Sequence, residues 1–313
     1  MHPSFYRGAL ALPLALAAAP LAAQDPLEAL VTRLAGMTAV SGYEQAVADT
    51  LLTLLPGAER DRAGSILLTL GSGEPRRLIA CGLDEPGFVI GNIRADGYLT
   101  LRRVGPNPQP LFDQQLEGQR IVVWGKKGAV PGVVGIHSVH LTRGRSASEA
   151  PFTFDSAFVD VGARTAAEAR ALGIEVLSPL ALEKRPHRYA DSLLAGPAVA
   201  RRAACAALLL AAQDAAPARG SVVIAFVGEQ LFTRRGLLTV ARNLGPFRAT
   251  ILLDRGATRD VIAERESPDP RYLGTVETWL LPSRYPGSAV ETVSLPDVAA
   301  LRQSLTLRIR GTE

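Results

Sequence analysis

Lysine is nearly missing from this chain of 313 residues: only Lys126, Lys127 and Lys184 occur, so the net charge of +4 comes almost wholly from arginine. Those arginines are scattered among acids. No basic block with interleaved aromatics exists, and nucleic-acid binding loses its usual sequence basis. Aromatics are also few, at 5%, which leaves aliphatic side chains to build the core. Cysteine is limited to Cys81 and Cys205, each inside an apolar run. Two buried free thiols are the simpler reading of that setting; a disulfide is open to an exported protein but does not follow from the sequence. No Gly-x-Ser-x-Gly string occurs, so a serine hydrolase lacks its nucleophile turn. Internal repeats and low-complexity stretches are missing too.

What is present begins with a targeting pattern. Arg7 precedes the apolar run Ala9 to Leu21, which closes on Leu21-Ala22-Ala23. The run is short and broken by Pro13 and Pro20, so it reads as a signal peptide over residues 1–23 rather than as a membrane span. The expected location is secreted or periplasmic, with no membrane span after cleavage.

The remaining chain is long enough for a large core. Apolar spacing predicts two helices between Asp25 and Leu55, and further helices over Ala166–Leu172 and Ala195–Ala212. Short aliphatic runs bounded by glycine and proline, Ile66–Leu70, Leu78–Cys81, Val222–Phe226 and Ile251–Asp254, read as buried strands. Between Phe88 and Ala163 the helical period gives way to alternating runs such as Tyr98–Leu101 and Arg120–Trp124. The expected fold is a three-layer α/β/α domain from residues 24–88 and 164–313, interrupted by a small β-barrel over 89–163.

Acids stand at strand ends in Leu83-Asp84-Glu85, Ala190-Asp191, Gly228-Glu229-Gln230 and Leu253-Asp254. Open α/β sheets build their sites there. Each alone reads as a cap or a turn; their joint occurrence around a β insert carries the information.

The strings Ser41-Gly42-Tyr43-Glu44, Ala80-Cys81-Gly82-Leu83-Asp84-Glu85-Pro86-Gly87-Phe88, Val159-Asp160-Val161-Gly162-Ala163 and Pro282-Ser283-Arg284-Tyr285 together resemble the glutamyl and deblocking aminopeptidase family. That resemblance implies a two-metal hydrolase domain, zinc or cobalt as cofactor, and an inserted β-barrel. It also implies two ligand histidines, a bridging aspartate, a ligand glutamate, a further aspartate and a separate glutamate as general base. Carried over by position, the histidines fall on Gly82 and Gly287 and the ligand glutamate on Leu231. The general base falls on Gln230, while Asp191 and Asp254 keep their aspartates and Asp84 keeps the acid that orients the base. A shift of one residue gives the base role to Glu229, with Gln230 as its poor ligand neighbour. The stretch from Asp254 to Pro282 is short for the family.

Catalytic zinc wants about three protein ligands and water, usually with imidazole among them. Two aspartates fall short, and a glutamine cannot accept the proton that a general base must take. His137, His140 and His187 read as surface or packing residues, and Cys81 as a strand residue rather than a nucleophile. The expectation is therefore a secreted, catalytically degenerate aminopeptidase relative with no cofactor. It would bind peptides in the old cleft or assemble as a homo-oligomer. The competing expectations are a metal-dependent hydrolase with an altered site and an oligomeric scaffold.

Overall fold

In a computed structural model, residues 25–105, 112–135, 152–231, 234–263 and 268–311 are described. The expected signal peptide and the pair His137 and His140 lie outside them.

The main sheet has ten strands, and its centre is parallel. Strand Arg76–Gly82 lies between Ser221–Val227 and Ala249–Gly256, and Ala249–Gly256 lies in turn beside Thr275–Arg284. Strand Ile66–Gly71 pairs antiparallel with Ser221–Val227 on the outer side. The central runs are continuously aliphatic because both faces are covered. Ile79, Cys81, Ile224 and Phe226 point into a core shared with helices Pro26–Ala35, Val199–Asp214 and Leu295–Arg310. Leu78, Ala80, Val223 and Ala225 point the other way, against helix Arg235–Leu244. Helix, sheet and helix make the three expected layers.

Helix Val199–Asp214 is the hub of the larger core, and nearly every residue on it is buried, Arg201 and Arg202 included. Its Cys205 forms a disulfide with Cys81 of strand Arg76–Gly82, with Cα atoms 5.5 Å apart. This settles the alternative that the sequence left open.

The insert is a closed barrel of six strands with its own apolar centre, in which Ile90, Leu99, Val123, Val159 and Leu180 are buried. It extends past the expected boundary at residue 163. Strand Pro179–Leu182 closes the barrel by pairing with both Gly87–Ile93 and Arg120–Gly125. Residues 164–182 are thus needed to satisfy the open edges of those two strands, and they belong with the barrel.

Among the described residues no helix is long and apolar enough to cross a membrane.

Candidate active site

Parallel register brings three strand ends together. Cys81 sits beside Phe226 on one side and Leu253 on the other, so Gly82, Gly228 and Asp254 emerge at the same edge of the sheet. Open α/β sheets place ligands at this edge.

The loop after strand Ser221–Val227 is held by two buried acids. Asp84 has no exposed surface. It accepts hydrogen bonds from Ser41 Oγ at 2.5 Å, from the Gln230 amide at 3.0 Å and from the Leu231 amide at 2.9 Å. Glu44 accepts from the amides of Gly42 at 3.0 Å and Glu229 at 2.9 Å. Burial raises the Glu44 carboxyl above the usual carboxylate range, against the pull of those two amides. Glu229 turns back with φ of 49° and receives Arg235 Nη1 on its Oε1 at 2.6 Å.

Arg201 occupies the centre of this edge. Its guanidinium lies against Gly82, where an added Cβ would come within 3.2 Å of Nη1 and within 3.2 Å of Gln230 Cβ and Cγ. The missing side chain at residue 82 and the guanidinium therefore belong together. Nη2 of Arg201 stands 3.3 Å from Asp254 Oδ1, so the strand-end acid has an arginine as counter-charge. Arg201, Gln230, Leu231, Arg234 and Asp254 line one cleft of about 390 Å³.

The structure thus gathers Gly82, Gln230, Leu231 and Asp254 around Arg201, with Asp84 behind them. It does not bring Asp191 or Gly287 into that cleft. Asp191 is exposed in the turn between the antiparallel strands His187–Tyr189 and Leu193–Ala195, where Ala190 and Asp191 both take φ of 40°. Aspartate is among the residues that tolerate this left-handed backbone. Gly287 lines a separate recess with Lys184 and Arg255, and its positive φ of 77° suits glycine in a turn. Its amide donates to Glu291 Oε1 at 3.1 Å. Sequence reasoning missed Arg201, Arg234 and the buried Glu291, which also receives Arg255 Nη1 at 3.1 Å. The available signal was Arg201-Arg202 interrupting an otherwise alanine- and leucine-rich run.

A second cluster sits behind the cleft, at the root of the barrel. Glu85 accepts from the Ala39 amide at 3.0 Å, pairs with Lys184 Nζ, and faces Arg202 Nη2 at 3.3 Å. Arg202 also donates to the Leu83 carbonyl, and Lys184 to the Pro197 carbonyl at 3.0 Å. Burial pulls the Lys184 ammonium down to about 8, although Glu85 works in the opposite direction.

The sequence model of M42 glutamyl aminopeptidase matches residues 64–268, more than half of the chain. The chain belongs to this M42 family. SgcX of Escherichia coli strain K12, which carries an aminopeptidase name, is 31% identical over 217 residues, or 66% of this chain and 57% of that protein. A lysyl aminopeptidase of Pyrococcus furiosus is 28% identical over 165 residues, 50% of this chain and 46% of that one. The matches thus span less than two thirds of these relatives' lengths. Among solved structures, the TET1 peptidase of Pyrococcus horikoshii superposes with a TM-score of 0.80 at 20% identity, over 91% of this chain and 99% of that chain. At that identity the likeness concerns the fold, and it supports the α/β/α domain with its inserted barrel.

Family membership corrects one expectation. M42 aminopeptidases normally use divalent metals, so the absence of a cofactor does not stand as a property of this chain. The donor set of the described residues is a separate matter, and it does not fit a two-metal centre. No group of three histidine, cysteine, aspartate or glutamate side chains converges there. A guanidinium, which repels a cation, fills the space between Gly82 and Asp254.

Proposed function

We propose that this M42 protein is exported and catalytically degenerate, and that its cleft binds the ends of peptides without cleaving them. The observation that carries this reading is Arg201 lodged between Gly82, Gln230 and Asp254. Hydrolysis needs a group that takes a proton from water and an electrophilic centre that polarises the carbonyl. Gln230 cannot take that proton, Glu229 is engaged by Arg235, and the cation in the cleft is a guanidinium with no site for an attacking water. A cleft of about 390 Å³ still has room for a short peptide.

Export is supported by the apolar run from Ala9 to Leu21 and by the Cys81–Cys205 disulfide, a bond that persists in oxidising compartments. Sequencing the N-terminus of the protein recovered from the periplasm or medium should give Gln24, and an intact Met1 would remove this part. Homo-oligomer formation is favoured by the fold likeness to the TET1 peptidase, which can assemble into a tetrahedron or a large octahedral shell. Light scattering of the purified protein tests it.

The degenerate reading is tested by incubating the mature protein with short unblocked peptides while zinc or cobalt is supplied. No free amino acid should accumulate above a blank. Metal-dependent release would establish the competing reading, an altered but working hydrolase.

A further inference from the structure

Arg201 is a guanidinium in want of partners. It is 9% exposed, and its buried Nε has no hydrogen-bond partner. Asp254 Oδ1 stands 3.3 Å from Nη2, and that carboxylate is itself 43% exposed. Leaving a buried charged donor unsatisfied is costly; Arg202 Nε and Nη2 are unpartnered too but enclosed, whereas Arg201 lines an open cleft where a ligand can complete it. Beside Arg201, the buried Gln230 Oε1 also lacks a partner. Arg234 lines the same cleft, held with φ of 54° just ahead of helix Arg235–Leu244. Among the described residues lining it, two guanidinium groups thus face one carboxylate.

We infer that this cleft is a carboxylate-recognition site: Arg201 and Arg234 take the carboxylate of a small peptide, and Gln230 accepts a hydrogen bond from a neighbouring amide N–H of the same ligand. The planar donor fork of arginine matches a carboxylate, whereas a neutral amide offers it one weaker acceptor. This inference rests on the non-hydrolytic reading above and adds which end of the ligand the cleft holds. The carboxylate could belong to a peptide C-terminus or to an acidic side chain; both present the same two oxygens.

Isothermal titration of the full mature protein separates the possibilities with four probes: N-acetylalanine, N-acetylaspartate α-amide, N-acetylalaninamide and inorganic phosphate. One or both carboxylate probes should bind, and whichever binds names the source. The amide probe, with no charged oxygen, should bind about tenfold more weakly or not at all. Arg201→Met should abolish carboxylate binding. Arg234→Gln, at a half-buried position outside the main core, should weaken it by about tenfold, and it serves if the first variant does not fold. Equal binding of acid and amide, preference for phosphate, or no binding by any probe would overturn the inference. Peptide cleavage would instead overturn the reading beneath it, and peptide binding with indifference to the carboxylate would leave that reading intact.

Discussion

Arg201 and Arg202 are consecutive on helix Val199–Asp214, yet they serve two different regions. Arg202 has no exposed surface; it reaches the barrel root, where the Leu83 carbonyl, Glu85 and the neighbouring Lys184 form a charge cluster closed off from water. Arg201 turns to the sheet edge and meets a single half-exposed acid, with its Nε unpartnered. Burial alone does not separate the two roles. Nor do unpartnered donors, since Arg202 Nε and Nη2 also lack hydrogen-bond partners; the surroundings do, because the barrel-root cluster is enclosed by three chain segments while Arg201 lines a cleft with room for a ligand. The first arrangement is what holding two domains together requires, and the second is what a ligand can complete.

The largest break in this comparison should come from the disulfide, because Cys81 and Cys205 join the strand and the helix that carry both regions. Replacing both cysteines with alanine releases a crosslink spanning 124 residues. The stability loss in urea denaturation should be about 4 kcal/mol. Arg202→Met should follow, at about 3 kcal/mol, since it strands the Leu83 carbonyl and unbalances Glu85 in a dry setting. The same denaturation curves measure it.

Lys184 sharpens the contrast through pH. Its folded-state value of about 8 lies below that of an unfolded lysine, near 10.4. Between these values the unfolded chain holds a proton that the native chain has released. The stability of the wild type relative to Lys184→Met should therefore rise from pH 8 to 10 and fall as pH drops through 8. A flat difference across that window would mean that the ammonium is not desolvated as described.

The smallest stability effect should come from Arg201→Met, within about 1 kcal/mol of wild type, because its ion-pair partner Asp254 is half-exposed and stays solvated when the guanidinium is removed. A loss as large as that of Arg202→Met would erase the distinction between the two arginines.

Much of the layered domain was legible in the chain. Strands buried on both faces read as unbroken aliphatic runs, and Val222–Phe226 and Leu78–Cys81 need no tertiary knowledge to be recognised. The end of the barrel was not legible, since Pro179–Leu182 is four residues long and exists as a strand only by pairing with segments far away in sequence. Within the site, Asp84, Gln230, Leu231 and Asp254 could be found because each follows a strand end. Asp191 was named for the same reason, and it stands in a hairpin turn outside the cleft lined by Arg201. Arg201 stayed hidden because a charged residue on a helix ordinarily marks a solvated face, and only packing against Gly82 shows where its side chain goes.

The central claim is that the cleft holds peptides and leaves them whole. The direct measurement is to load the mature protein with a short peptide bearing free ends, with divalent metal supplied, isolate the complex by gel filtration and weigh the bound material by mass spectrometry after prolonged incubation. The account predicts the intact peptide at its original mass. Recovery of the peptide shortened by its N-terminal residue, together with the free amino acid, would contradict it.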